Sequence, residues 1–522
     1  LVSPMADLFF LIGRNGEDIE ADFVKSKLND STTVVSVHLP SYSPSVGMDR
    51  DEWANAHHQH GLDLARVESE LKLRDVVLFT IPNPTQTYLG MLQVWNSPSS
   101  VYDIDSVRIP WEEVKEHLKR TEPEKAKGWK PDPRNNPAGK NPTNFWHFST
   151  LPARQKPVPT LFGPSEVLPI TISSGLEKEL IERILNAHSS ANDCIYVWGS
   201  DGDLKDMKEI CASMGRDFNA VPSGTPDELV PIPVPINDLP VSVTADPIVI
   251  DGSKPQGANE GNIVSIMAYI QDCRDGLASL PEGVLSHGVT SPPYNIGYDP
   301  FNEPKPDATG ALVVPVREGY EDSLSPGQYA SLLKSTFDGM DEKADETGFE
   351  LFLNIKSNYA DASCDLPFYM LRLMPERWKL LDVLIWRYDI SFDPGRGKYK
   401  PLYEWVIRVG FGDVKLPAMG MLDWYIPILK GNSDERKSLK HPAMFPRELV
   451  HRSLKESGRD VKMVVEPFLG SGTTLAACLE LGVNAVGFEF ALYPCRALTG
   501  TLPQPSRHLS AALALFTKIN NN

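Results

Sequence analysis

The string Val464-Val-Glu-Pro-Phe-Leu-Gly-Ser-Gly-Thr-Thr474 restricts the fold more tightly than any other part of the chain. An apolar run ends in a carboxylate, Glu466. Gly470 and Gly472 follow, and a helical pattern starts near Thr473. Strand, glycine turn and helix in this order are the building unit of an α/β domain. Glycine lets a backbone approach a ligand without a Cβ clash, and open α/β sheets bind ligands at the carboxyl ends of their strands. The next expected strand, Asn484 to Glu489, ends in a second acid. It lies roughly twenty residues on, the spacing at which a carboxylate can hold ribose hydroxyls. The loop lacks the Gly-Lys-Ser/Thr of a nucleoside triphosphate site. Further strands are expected at residues 283–290, 350–355, 380–386, 405–410 and 462–466, after an amphipathic helix over Ile263 to Leu280. The alternation predicts a largely parallel sheet.

The strand ending at Thr290 runs straight into Ser291-Pro-Pro-Tyr294. Two prolines fix their own φ and remove two backbone donors, leaving a stiff segment that presents carbonyl acceptors. An exocyclic base amine has two N–H donors and a lone pair delocalised into its ring. Ser291 Oγ and the Pro292 carbonyl can accept those N–H bonds and free the lone pair for attack. Tyr294 can stack on a base extruded from a duplex. A plain proline turn is the alternative for Ser291, Pro292, Pro293 and Tyr294 taken alone.

Taken together, Ser291-Pro-Pro-Tyr294 and Glu466-Pro-Phe-Leu-Gly-Ser-Gly-Thr-Thr474 resemble the amino-methyltransferases of DNA. The catalytic motif precedes the cofactor motif, as in the β-type order. The resemblance spans roughly residues 263 to 495. It implies a Rossmann-like domain, S-adenosyl-L-methionine as cofactor, and cofactor contacts from Glu466, Pro467, Phe468, Gly470, Ser471, Gly472, Thr473, Thr474 and Glu489. Lys440-His-Pro-Ala-Met-Phe-Pro446 is similar to the family's His-Pro segment, which implies roles for His441, Pro442 and Phe445 near the methionine part of the cofactor. Asp272 resembles the acid that contacts the adenine, although Gln271 stands where the family usually has glycine. Family members that begin the catalytic motif with serine mostly methylate N4 of cytosine, and those with Asp or Asn mostly methylate N6 of adenine. Ser291 therefore implies a cytosine-N4-specific DNA methyltransferase, with an adenine-N6 enzyme as the alternative and a non-catalytic DNA-binding regulator as the rival from another class.

At 522 residues the chain is long enough for two to four domains. Pro222 to Asn262 is rich in proline, valine and aspartate and carries no helical period. It is expected to be a linker, or a strap packed on one domain, between residues 5–221 and a catalytic domain at 263–498. Residues 499–522 form a tail. The six cysteines are scattered with no zinc-ligand spacing, so neither a structural metal nor disulfides are expected. No apolar run reaches the roughly 20 residues of a membrane span, and a cytoplasmic, prokaryotic protein is expected.

The N-terminal half carries echoes of the C-terminal one. Val34 to Asp49 parallels Val284 to Asp299, and Glu179 to Leu185 parallels Glu448 to Leu454. Gly199-Ser-Asp-Gly202 sits where Gly470-Ser-Gly472 sits. A degenerate copy of the same α/β fold is one reading, and chance similarity of strand-turn-helix units is the other. Such a copy has apolar residues around Ile195 and Tyr196 in place of Glu466 and no acid in place of Glu489. It is expected neither to bind cofactor nor to catalyse.

The net charge of −18 opposes nucleic-acid binding by the whole surface, but a local basic patch suffices. Arg396-Gly-Lys-Tyr-Lys400, with Arg396, Lys398 and Lys400, is the first candidate for phosphate contact. Lys127 and Lys130, in a basic stretch with Trp129, are the second. The expected partners are double-stranded DNA and a cognate restriction enzyme. The chain is expected to act as a monomer with an internal pseudo-dimer or as a homodimer.

Overall fold

The computed structural model describes residues 7–13, 23, 26–38, 71–82, 87–97, 99–100, 102–108, 145–147, 178–221, 248–251, 254–255, 263–295, 324, 326–356, 368–388, 402–415, 423–426 and 445–489. Two large sheets organise them. The first is built from β1 (Asp7–Gly13), β2 (Thr33–His38), β3 (Lys72–Pro82), β4 (Thr87–Asn96), β5 (Phe145–His147), β6 (Cys194–Trp198) and β7 (Asp217–Ala220), in the order β5-β3-β4-β2-β1-β6-β7. Helices α1 (Lys178–His188) and α2 (Asp201–Ser213) flank β6 in sequence. Leu8 to Ile12 of β1 are wholly buried on both faces, as a central parallel strand requires. Leu180, Ile184, Met207 and Cys211 of the helices pack on the face formed by Leu8, Phe10 and Ile12.

The second sheet has nine strands. Short β9 (Lys254–Pro255) and β10 (Ile263–Val264) pair only with each other. The large sheet comprises β8 (Ile248–Asp251), β11 (Ile266–Ile270), β12 (His287–Thr290), β13 (Gly348–Ile355), β14 (Lys379–Arg387), β15 (Tyr403–Gly412), β16 (Asp423–Tyr425), β17 (Met463–Glu466) and β18 (Asn484–Glu489). Its order is β16-β14-β15-β13-β12-β17-β18-β11-β8. The strands β13, β12, β17, β18 and β11 run parallel, whereas β15 lies antiparallel between β13 and β14. The helices are α3 (Cys273–Ser279), α4 (Pro326–Lys343), α5 (Phe368–Leu371), α6 (Arg447–Lys455) and α7 (Thr473–Leu481). Leu449, Val450, Leu475 and Cys478 of α6 and α7 cover Val289, Phe352 and Val464 of the sheet. The opposite face, with Leu351, Leu353 and Ile407, meets Leu333, Phe337 and Met340 of α4.

The α/β reading of the C-terminal half holds, with three local corrections. Ile263 to Leu280 is not one helix. Residues 266–270 form β11, and only Cys273–Ser279 is helical. Ile266 and Ala268 are buried while Met267 and Tyr269 are only partly so, an alternation of period two that the apolar content disguised. Within the expected linker, Ile248–Asp251 closes the sheet edge antiparallel to β11, so this piece is strand rather than tether. The sheet is parallel at its centre and mixed at both edges. The expected tail at 499–522 lies outside the described residues. No helix among the described residues is long and apolar enough to cross a membrane.

Candidate active site

Parallel pairing of β12 with β17 and of β17 with β18 brings three strand ends to one edge of the sheet. The first leads into Ser291-Pro-Pro-Tyr294, the second into the glycine turn, and the third ends in Glu489. Glu466 joins the first two. Thr290 Oγ1 and the Phe468 backbone N–H donate to its Oε1, and Thr474 Oγ1 donates to Oε2 at 2.7 Å. The carboxyl is buried and its pKa is pushed up to about 8 by that burial, against the pull of its three donors. Glu466 thus ties the catalytic strand end to the cofactor turn, and both of its oxygens are engaged with the protein.

The turn between β17 and α7 takes the shape its glycines allow. Gly470 has φ +53° and Gly472 φ +79°, left-handed conformations costly for other residues. Gly472 caps α7 with no side-chain hydrogen bond, and the carboxylates beside this helix start are Glu466, bonded to Thr474, and Glu489, bonded to Gly470. Ser471 and Thr473 are buried and share a hydroxyl bond of 2.8 Å.

Glu489 receives the Gly470 N–H on Oε2 at 2.8 Å, and Oε1 has no protein donor among the described residues. Burial pushes its pKa up to about 8 as well. Beside it, β11 ends where Ile270 pairs with Glu489, and Asp272 follows as the N-cap of α3. Asp272 accepts from the Arg274 backbone N–H at 2.8 Å and pairs with its guanidinium at 2.6 Å. A carboxylate oxygen with no donor among the described residues and a second acid, Asp272, lie along one edge beside the glycine turn. Pro467 and Phe468 begin the turn, and Phe468 packs on the core.

Around the catalytic motif, Tyr329 of α4 donates its hydroxyl to the Pro293 carbonyl, and Asn295 Nδ2 donates to Leu324 O at 2.8 Å. Asn295 itself sits at φ +51°. These contacts hold the segment from behind. No donor among the described residues reaches the Pro292 carbonyl, which leaves it free to accept. Ser291 Oγ donates to Tyr294 Oη at 3.1 Å, and Tyr294 Oη donates to Glu404 Oε2 at 2.9 Å. Asn354 Oδ1 lies 3.4 Å from the same phenol. Burial raises the Glu404 pKa, opposed by Lys356 and by hydrogen bonds from Tyr294 and Asn354.

Neither Glu404 nor Asn354 was expected at the site from the sequence. Glu404 lies on the antiparallel strand β15 and Asn354 on β13, more than fifty residues from the motif in sequence. Only strand register carries them to it. An acid next to the apolar run of β15 was the available signal. Of the His-Pro segment, Phe445 packs against the core next to α6, whereas His441 and Pro442 lie outside the described residues. So do Arg396, Lys398, Lys400, Lys127 and Lys130.

Residues 285–499 match the N6/N4 methyltransferase family model, described as DNA methylase. The type II methyltransferase M.ScaI of Streptomyces caespitosus is 25% identical over 259 residues, 43% of this chain and 77% of the relative. The type II methyltransferase M.MjaII of Methanocaldococcus jannaschii is 29% identical over 119 residues, 21% of each chain. Among solved structures, the cytosine-N4-specific PvuII DNA methyltransferase aligns at 18% identity and TM-score 0.34, over 49% of this chain and 94% of its own. The M1.HpyAVI–SAM complex aligns at 16% identity and TM-score 0.31, over 49% and 98%. The C-terminal half of this chain is therefore a DNA methylase domain of the β-type amino-methyltransferase family, whose cofactor is S-adenosylmethionine.

Proposed function

We propose that this chain methylates the exocyclic N4 amine of a cytosine extruded from double-stranded DNA. The observation that carries the reading is Ser291 at the head of the motif, joined to the glycine turn through Glu466, beside a Pro292 carbonyl that no donor among the described residues reaches. S-adenosylmethionine supplies an electrophilic methyl group. Ser291 Oγ and the Pro292 carbonyl accept the two amine N–H bonds and favour a pyramidal nitrogen. Tyr294 offers its ring to the extruded base. Holding amine and methyl in line supplies much of the rate, because proximity removes an entropic cost. No covalent enzyme intermediate is needed.

Methylation leaves the amine nitrogen with one proton too many. Ser291, Tyr294 and Glu404 form a continuous donor chain leading away from the amine. As the proton reaches Ser291 Oγ, the serine proton passes to Tyr294 Oη and the phenol proton to the Glu404 carboxylate. A raised Glu404 pKa makes that carboxylate a better acceptor. Arg396, Lys398, Lys400, Lys127 and Lys130 are proposed phosphate contacts, and a cognate restriction enzyme is the proposed biological companion.

The test is transfer of labelled methyl from S-adenosylmethionine to mixed-sequence duplex DNA, with nucleosides resolved by mass spectrometry. N4-methylcytosine is expected. N6-methyladenine would overturn the base assignment drawn from Ser291 and leave the mechanism standing.

A further inference from the structure

The two sheets share one plan. From β5 to β7 the first runs parallel, antiparallel, antiparallel, then parallel three times. From β16 to β18 the second runs through the same sequence of pairings. The register agrees to the residue. In β3 the pairing with β4 slips between Leu73 and Asp75, and in β14 the pairing with β15 slips between Leu380 and Asp382. Leu78 pairs with Phe145 where Ile385 pairs with Asp423. A strand order with a shared irregularity is far more specific than a common sheet type, since bulges are positional features.

Register also fixes which residues correspond, and it corrects the sequence pairing of Val34 with Val284. β2 is the counterpart of β13, and the counterpart of β12 is β1. Through these ladders Leu11 stands for Thr290, Ile12 for Ser291 and Val197 for Glu466. Ala220 stands for Gly487. The places of Thr290, Ser291 and Glu466 are thus apolar in the first sheet. The helix after β6 is also closed. Ser200 caps it, and buried Asp203 accepts from the Ser200 N–H at 3.0 Å and from the Ser200 hydroxyl at 2.6 Å. A side-chain cap thus closes this helix, whereas Gly472 gives α7 none.

We infer that the N-terminal half is a second methyltransferase-type sheet that has lost cofactor binding and catalysis and serves as a built-in partner of the catalytic half. The halves are joined. Phe9, Leu11, Val76 and Trp95 belong to the same apolar cluster as Leu353, Trp405 and Ile407, and Tyr403 Oη donates to Val76 O at 3.2 Å. The chain thus carries one cofactor site and two coupled sheets.

Calorimetric titration of the full chain with S-adenosylmethionine, followed by hydrogen exchange with and without it, tests both parts. One cofactor per chain is expected, unchanged in number and affinity in Asp203→Asn. A second equivalent, or a site gained in that variant, would overturn the loss of binding. Cofactor at a hundredfold its dissociation constant should slow globally controlled exchange in β1 and β6 as well as in β12 and β17, by up to about a hundredfold. Protection confined to the C-terminal strands would overturn the partnership.

Discussion

Replacing Glu404 by glutamine separates two roles that its position allows. If the carboxylate only anchors the Tyr294 phenol, the glutamine carbonyl can take over the 2.9 Å bond in neutral form. A bond to a charged acceptor is worth about 1.5–3 kcal/mol and a neutral one about 0.5–1.5. The difference is about 1–1.5 kcal/mol, or roughly a tenfold loss of rate. If Glu404 receives the proton that leaves the amine, glutamine cannot, and loss of a positioned general base costs about 10²–10⁴. The expected result is a single-turnover rate at least about a hundredfold below the parent, with cofactor affinity unchanged and partial recovery in Glu404→Asp. The parent rate should rise with pH as Glu404 ionises, at a pH that burial places above the ordinary glutamate value. The glutamine variant should lose that limb. A variant within a few fold of the parent, showing the same pH profile, would refute the proton chain.

Three further outcomes follow from the site. On the proposed mechanism, in which its hydroxyl accepts from the amine, Ser291→Ala should lower turnover by about a hundredfold or more while calorimetry shows unchanged cofactor binding. Glu489→Ala should weaken S-adenosylmethionine binding by roughly tenfold by calorimetry, the value of one or two hydrogen bonds. Glu466 and Glu489 both have pKa values pushed up to about 8 from 4.5. The folded state therefore keeps protons that the unfolded state releases, and each group's stabilising contribution is present below about pH 4.5 and lost as pH rises towards about 8. Thermal melting of the cofactor-free protein should show a midpoint that falls across this window, with a shallower slope in Glu466→Gln, which mimics the protonated form.

The strand, glycine turn and helix over 463–481 were legible because their signals are contiguous in sequence. Acid, glycines and threonines lie within nine residues, and Glu489 ends the next strand. The strand end before Ser291-Pro-Pro-Tyr294 was legible for the same reason. What stayed hidden depends on register. Glu404 meets Tyr294 only because β15 runs antiparallel between β13 and β14, and no local pattern encodes that hairpin's position. β11 was misread as helix because its flanking residues are apolar on both phases, so neither a two-residue nor a 3.6-residue period stood out. The inferred likeness of the two halves shows in the sequence around Gly199, where loop and helix have small residues. It was misaligned at Val34, where a run of β-branched residues fits either neighbouring strand of a buried sheet.

A buried cluster at the other end of β12 bears on why the two sheets differ. Arg408 pairs with Glu350, whose second oxygen accepts from Ser457 Oγ at 2.9 Å, and His287 Nε2 lies 2.7 Å from that hydroxyl. Burial and nearby Arg459 and Arg408 hold the His287 pKa down to about 3, so its ring is neutral. By register, the first sheet has Val94, Thr33 and Leu8 at the places of Arg408, Glu350 and His287. Desolvating an ion pair can cost as much as its attraction returns, and an apolar set of similar volume is often as stable. The frame of the fold therefore does not require these charges, since the first sheet keeps the same strand order and bulge without them. Polar interiors survive here in the sheet that carries the cofactor turn, where Glu350 accepts the Gly458 N–H at 3.1 Å and so fixes the chain between α6 and β17. That contact lies just ahead of β17, which begins three residues before Glu466, and so links the buried pair to the placement of the catalytic edge.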